Sequence, residues 1–156
     1  VGGLVAACNP LFCLFVLALG VVVKAVVVKA VVDNGLDTFA ERLLPDGSGL
    51  LALLTIAAVA ALLAAGINNL PATLALLPIV ADAGAGPVLA VLIGVNIGPN
   101  LTYVGSLSTL LWRRVLHEHD MDASLRDFTW LGVLTVPLTL VAATTALWAM
   151  LHTVGA

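Results

Sequence analysis

The sequence predicts an all-α membrane protein, and three observations carry that prediction. The chain is 62% hydrophobic and only 10% charged over 156 residues, with a mean hydropathy of +1.17. Soluble domains are about 45–50% apolar and about 25% charged, and need polar cover for their surface. The apolar residues are gathered into runs near the ~20 residues that a helix needs to cross ~30 Å of hydrocarbon. Some of these runs are broken in their interior by Asn, Pro and Gly, which is unusual in a plain spanning helix.

The first predicted span covers about residues 9–32. Pro10 suits a first helical turn, where a missing N–H costs nothing. Lys24 and Lys29 lie in a tandem repeat, Val21–Val22–Val23–Lys24–Ala25 and Val26–Val27–Val28–Lys29–Ala30. Lys29 can snorkel to the interface; Lys24 lies deeper and is either a functional charge or a by-product of local duplication. Residues 33–49 form a polar interfacial segment with Asp33, Asp37, Glu41, Arg42 and Asp46.

Residues 50–81 read as a re-entrant helical hairpin. Two apolar arms flank Asn68–Asn69–Leu70–Pro71. Proline disfavours helical geometry at the residue before it, and the second arm is too short to cross alone. Irregular backbone at membrane depth survives only where protein or a water-filled cavity satisfies it. One long kinked helix is the competing reading.

A broken span follows over residues 88–115. Its two half-helices, about Val88–Ile97 and Ser106–Val115, are joined by an unwound Pro99–Gly105. Gly98, Pro99 and Gly105 shape the break. Asn68, Asn69, Asn96, Asn100, Thr102, Ser106 and Ser108 are the candidate substrate-binding residues, because broken helices expose carbonyls and N–H groups to polar solutes. The structural alternative for Ser108 is a hydrogen bond to neighbouring helix backbone. The loop 113–127 is charged, and the last span covers residues 128–152, with Pro137 inside it as an expected kink.

Loop 113–127 carries three arginines and segment 33–49 only one, which makes the former cytoplasmic by the positive-inside rule. Net charge is −3 and basic residues are not clustered, so nucleic acid is not an expected partner. Cys8 and Cys13 fit no disulfide framework or zinc pattern. His117 and His119 read as solvated loop residues, with no metal expected. No nucleophile with a positioned base and no phosphate loop is present, so neither enzyme activity nor a cofactor is expected.

The stretch from Asn68 to Trp112, with Gly98–Pro99–Asn100–Leu101–Thr102–Tyr103–Val104–Gly105–Ser106–Leu107–Ser108–Thr109–Leu110–Leu111–Trp112 at its heart, resembles the last third of the arsenical pump membrane protein (ArsB) family. That family belongs to the ion transporter superfamily. The resemblance implies an elevator-type transporter of two inverted repeats, each with a re-entrant hairpin and a broken helix meeting at the substrate site. This chain would be a C-terminal fragment holding the second repeat, in a multi-pass protein of the inner (plasma) membrane. The implied function is extrusion of arsenite and antimonite. Its implied partners are membrane lipid, a coupling H⁺ or Na⁺, an arsenical pump ATPase and a second copy in a homodimer. The resemblance leads one to expect Asp at position 96 and Lys at position 100, where Asn96 and Asn100 stand. Alternatives are Na⁺-coupled dicarboxylate or anion transport, NhaD-type Na⁺/H⁺ antiport, and a non-transporting membrane subunit.

Overall fold

The computed structural model describes residues 48–121 and 124–154, together with helical positions at Leu14, Leu17, Ala18, Gly20, Val21, Val22 and Ala25. Most of the span 9–32 and nearly all of the segment 33–49, with Cys8, Cys13, Lys24 and Lys29, lie outside the described residues. From residue 48 onward the regular elements are helices: α1 (Leu50–Ile67), α2 (Asn69–Val80), α3 (Ala85–Ile97), α4 (Leu107–Glu118) and α5 (Leu125–Val154). Short 3₁₀ turns cover Ala81–Ala83 and Gly98–Leu101. The described residues contain no strand.

The packing partners fix the helix directions. Gly86 lies against Leu53 and Ser48, Gly94 against Ala57 and Ala60, and Gly98 against Ala61. Helix α3 therefore runs beside α1 in the same direction. Helix α2 must return between them, so α1 and α2 form a helical hairpin with its tip at Asn68. Helix α5 runs the other way along α3: Gly132 packs on the backbone of Asn100 and Leu101, and Leu151 reaches Gly86.

The core has the size pattern of a membrane bundle. Helix α1 buries Leu53, Ile56, Ala57, Ala60, Ala61, Ala64 and Ala65, at steps of three and four. Its exposed side holds large residues, with Leu51 79% and Leu62 68% exposed. A mostly small buried face and large residues outside are what close helix packing in lipid selects, because lipid tails are as apolar as Leu and only close contact separates the two faces. On α5 the buried stripe is Gly132, Val136, Leu140 and Thr144, every fourth residue. Only 17% of the apolar window of α5 is buried, too little for the core helix of a soluble fold.

Helices α1 and α5 are long and apolar enough to cross a bilayer. Helix α2 has 12 residues, which rise only about 18 Å. Helix α5 continues through Pro137. The charged stretch is largely drawn into helix ends: Arg113, Arg114, His117 and Glu118 stand on α4, and Arg126 and Asp127 on the first turn of α5.

Thr144 is fully buried and its Oγ1 has no hydrogen-bond partner among the described residues. A buried hydroxyl without a partner costs about 1–3 kcal/mol, and Val has nearly the same shape. Thr144→Val is therefore expected to raise the unfolding temperature of the detergent-solubilised chain, measured by circular dichroism.

Candidate functional site

The chain turns at Asn68 because the residue stands at φ 83°, ψ 149°, where no helix can continue. At this ψ the region is held easily only by Gly, so the hydrogen bonds around Asn68 are what fix it there. The turn is closed on both sides. The Asn68 N–H donates to Ala64 O at 3.0 Å and ends α1, while Asn68 Oδ1 accepts from Leu70 N at 3.3 Å and caps α2. Pro71 falls in the first turn of α2, where its missing N–H leaves no bond unmade. Thr73 Oγ1 donates to Asn69 O at 2.7 Å and tightens the same turn.

The break after α3 lies at the same level. Residues 98–101 keep a 3₁₀ twist, and Thr102 then turns extended at φ −139°, ψ 153°. The connector crosses over the hairpin tip until Ser106, itself extended, caps α4 by accepting from Ser108 N at 3.0 Å. Gly105 allows the connector to fold back on itself, since a Cβ there would stand 2.5 Å from Pro99 Cα.

Three hydrogen bonds tie the tip to the connector. Asn68 Nδ2 donates to Val104 O at 3.0 Å, Asn69 N to Gly105 O at 2.9 Å, and Thr102 Oγ1 to Ala65 O at 2.6 Å. The structure thus brings Asn68, Asn69, Thr102, Gly105 and the cap residue Ser106 together, with Gly98 and Pro99 buried beneath. The helices also converge here. The N-termini of α2 and α4 carry partial positive charge, and the C-terminus of α1 offers carbonyls.

The remaining candidates are arranged differently. Asn96 and Asn100 are exposed one helical turn apart, and their amides donate to their own backbone, to Leu92 O at 2.7 Å and Ile97 O at 3.0 Å. No hydrogen bond among the described residues joins them to the tip. Ser108 is exposed and contributes its N–H to the cap of α4. Its position follows from helix initiation.

The two asparagines of the tip play different parts. The side chain of Asn68 is engaged at both ends of its amide. The half-buried Asn69 side chain has no hydrogen bond among the described residues, which leaves it able to face a solute. Gly94, four before Gly98, is among the glycines that interrupt the apolar span in the sequence, yet it stands inside helix α3. Both pack on the backbone of α1, and their Gly-x-x-x-Gly spacing is the signal that marks such contacts.

The N-termini of α2 and α4 thus meet at a crossing built from amide, hydroxyl and backbone groups. The profile of the family described as arsenical pump membrane protein matches residues 5–151. The chain belongs to the arsenical pump membrane protein family. A relative from Bacillus subtilis (strain 168), named "Putative arsenical pump membrane protein", is 35% identical over 60 residues. That stretch covers 38% of this chain and 14% of the relative, so the match spans a small part of the relative's length. No solved structure matches the chain. The family is one of membrane transporters, and membership accounts for the inside-out burial of α1 and the bare apolar face of α5.

Proposed function

We propose that this chain furnishes one half of the solute site in a permease that extrudes arsenite and antimonite, and that the site lies at the crossing of the hairpin tip with the helix break. The observation that carries the reading is the tip itself. It gathers amide, hydroxyl, N–H and carbonyl groups, and Asn68–Ser106 contains no Asp, Glu, Lys, Arg or His apart from Asp82, which lies in the turn at the far end of α2. Arsenite near neutral pH is the uncharged trihydroxide As(OH)₃, which asks for hydrogen-bond donors and acceptors and not for a counter-charge.

In this reading the α1–α2 hairpin enters and leaves the membrane on one side. The 12-residue α2 supports it, being shorter than the ~30 Å of hydrocarbon. Asn69 meets the solute with its free side chain, and Asn68 holds the tip against Val104. Asn96, Asn100, Thr102, Ser106 and Ser108 complete the polar lining as the break opens. A second hairpin-and-break unit, from an inverted repeat elsewhere in the transporter, supplies the other half and any proton-carrying acid. Loop 113–127 is cytoplasmic. Coupling to H⁺ or Na⁺, an ATPase partner, a homodimer and residence in the inner membrane are part of the same proposal.

Everted membrane vesicles that carry the transporter containing this chain are expected to accumulate arsenite. Uptake equal to that of vesicles without it would sink the proposal. The isolated 156-residue chain in liposomes is expected to move none. The N-termini of α2 and α4 favour one rival, since helix N-termini attract anions. Sodium-dependent uptake of succinate without uptake of arsenite would decide for that rival.

A further inference from the structure

Away from the tip, where α4 meets the start of α5, lies a cavity of about 540 Å³ lined by Tyr103, Leu110, Arg113, Arg114, His117 and Leu125, among others. The α4 residues stand at steps of three and four, so one face of the helix is turned to the cavity. The Arg113 guanidinium lies 5.2 Å from the centre of the Tyr103 ring, and Tyr103 is itself buried and packed on Phe128, with ring centres 4.6 Å apart and planes tilted by 35°. A guanidinium placed over a ring in a cation–π contact still has N–H donors to offer a planar or tetrahedral oxyanion. Among the described residues Arg113 has no carboxylate partner. Glu118 is engaged by Arg114 at 3.1 Å, and neither Asp120 nor Asp127 lines the cavity.

The surroundings set the level of this cavity in the membrane. Trp112 on α4 is 46% exposed and Trp130 on α5 68%, and exposed Trp gathers at the boundary of hydrocarbon and headgroups. Leu111 and Val115 on α4 and Leu131 and Leu134 on α5 are exposed too, which gives each helix an apolar flank. A free phosphate would use the arginines alone and leave those flanks bare. A lipid uses both.

We propose that the α4–α5 cavity binds the phosphodiester headgroup of an anionic membrane lipid, with Arg113 and Arg114 holding the phosphate and the apolar flank of α4 and α5 lying along the acyl chains. Basic residues near a membrane surface favour anionic lipid by about five-fold each, from about 1 kcal/mol per residue.

The test is tryptophan quenching in the 156-residue chain, reconstituted in phosphatidylcholine and titrated with brominated phosphatidylglycerol or brominated phosphatidylcholine. Half-maximal quenching is expected at about 25-fold lower mole fraction for phosphatidylglycerol, five-fold for each of the two arginines. Arg113→Gln is expected to remove most of that preference and Arg113→Lys to keep it. Arg114→Gln, at a side chain 71% exposed and so tolerant of change, is expected to reduce it. Equal quenching by the two lipids would overturn the proposal, as would a preference that survives both glutamine variants. So would suppression of the preference by millimolar inorganic phosphate, which would make the cavity a site for a soluble anion.

Discussion

Asn68→Ala is expected to lower the initial rate of arsenite uptake into everted vesicles by more than about tenfold, with the protein still inserted in the membrane. The substitution removes two side-chain hydrogen bonds, one to Val104 O and one from Leu70 N. Each is worth about 0.5–1.5 kcal/mol net, and 1.4 kcal/mol is a factor of ten in an equilibrium. Asparagine and alanine both hold φ 83°, a region that costs residues other than Gly about 1–3 kcal/mol, so the loss in the alanine variant comes from the two bonds. Asn68→Gly separates the two effects. It releases the backbone cost and still loses both side-chain bonds, so it falls between the parent and Asn68→Ala. Asn68→Asp keeps the acceptor for Leu70 N and turns a carboxylate oxygen toward the Val104 carbonyl, which repels it. Asn69→Ala is the informative contrast. The Asn69 N–H still reaches Gly105 O, so the crossing stays closed. In this variant the arsenite concentration at half-maximal rate is expected to rise while the unfolding temperature stays the same. Parent-like uptake by Asn68→Ala would show that the tied crossing is not needed for transport. Parent-like kinetics of Asn69→Ala would remove that side chain from the site.

The contrast between these neighbours shows what sequence reading could and could not reach. An all-helical membrane protein was legible because composition acts on the whole chain: 62% hydrophobic residues with 10% charged leave few soluble solutions. The family was legible because the run from Gly98 to Trp112 is long and specific. Local backbone chemistry also speaks through single residues, and the interruptions at 68 and 98–106 fall where Asn, Pro and Gly stand. The partners of those residues were not legible. Asn68 and Asn69 are identical in a sequence, and only the positive φ of Asn68 turns its amide onto Val104, 36 residues away. The bond from Thr102 to Ala65 O spans 37 residues, and nothing within either segment announces it. Charge spacing misled in a simpler way. Arg113, Arg114, His117 and Glu118 read as a loop because they are polar, yet α4 extends through them, and the Arg114–Glu118 pair is one helical turn apart.

Gly94→Ala is expected to destabilise the bundle, and the sign of that effect is the point. In an ordinary helix interior, replacing Gly by Ala gains about 0.5–1 kcal/mol from backbone entropy and helix propensity. Gly66 supplies the comparison: it stands in the last turn of α1, and a Cβ there would meet nothing within 4 Å. Gly66→Ala should therefore leave stability unchanged or raise it. At Gly94 the new Cβ would run into the Ala57 carbonyl and stand 2.6 Å from Ala60 Cβ and 3.0 Å from Ala61 N. These are mostly backbone atoms on a rigid helix, so no rotamer change relieves the contact and α1 and α3 must move apart. Overpacking of this kind costs about 1–3 kcal/mol, enough to reverse the propensity gain. Gly94→Val, with more atoms in the same place, should be worse. Thermal unfolding of both variants in one detergent, followed by circular dichroism, checks the ordering Gly66→Ala, parent, Gly94→Ala, Gly94→Val from most to least stable. The consequence for transport follows from the geometry. Gly98 packs against the Ala61 backbone one turn further on, and the next contact along the same seam is Thr102 Oγ1 on Ala65 O, at 2.6 Å. Spreading the helices at Gly94 pulls on that bond and then on the Asn68–Val104 bond beyond it. Gly94→Ala is thus expected to slow arsenite uptake with no change to any side chain at the tip. If Gly94→Ala instead stabilised the chain as Gly66→Ala does, the two glycines would not be a close-approach seam, and the crossing would have to be held together by its hydrogen bonds alone.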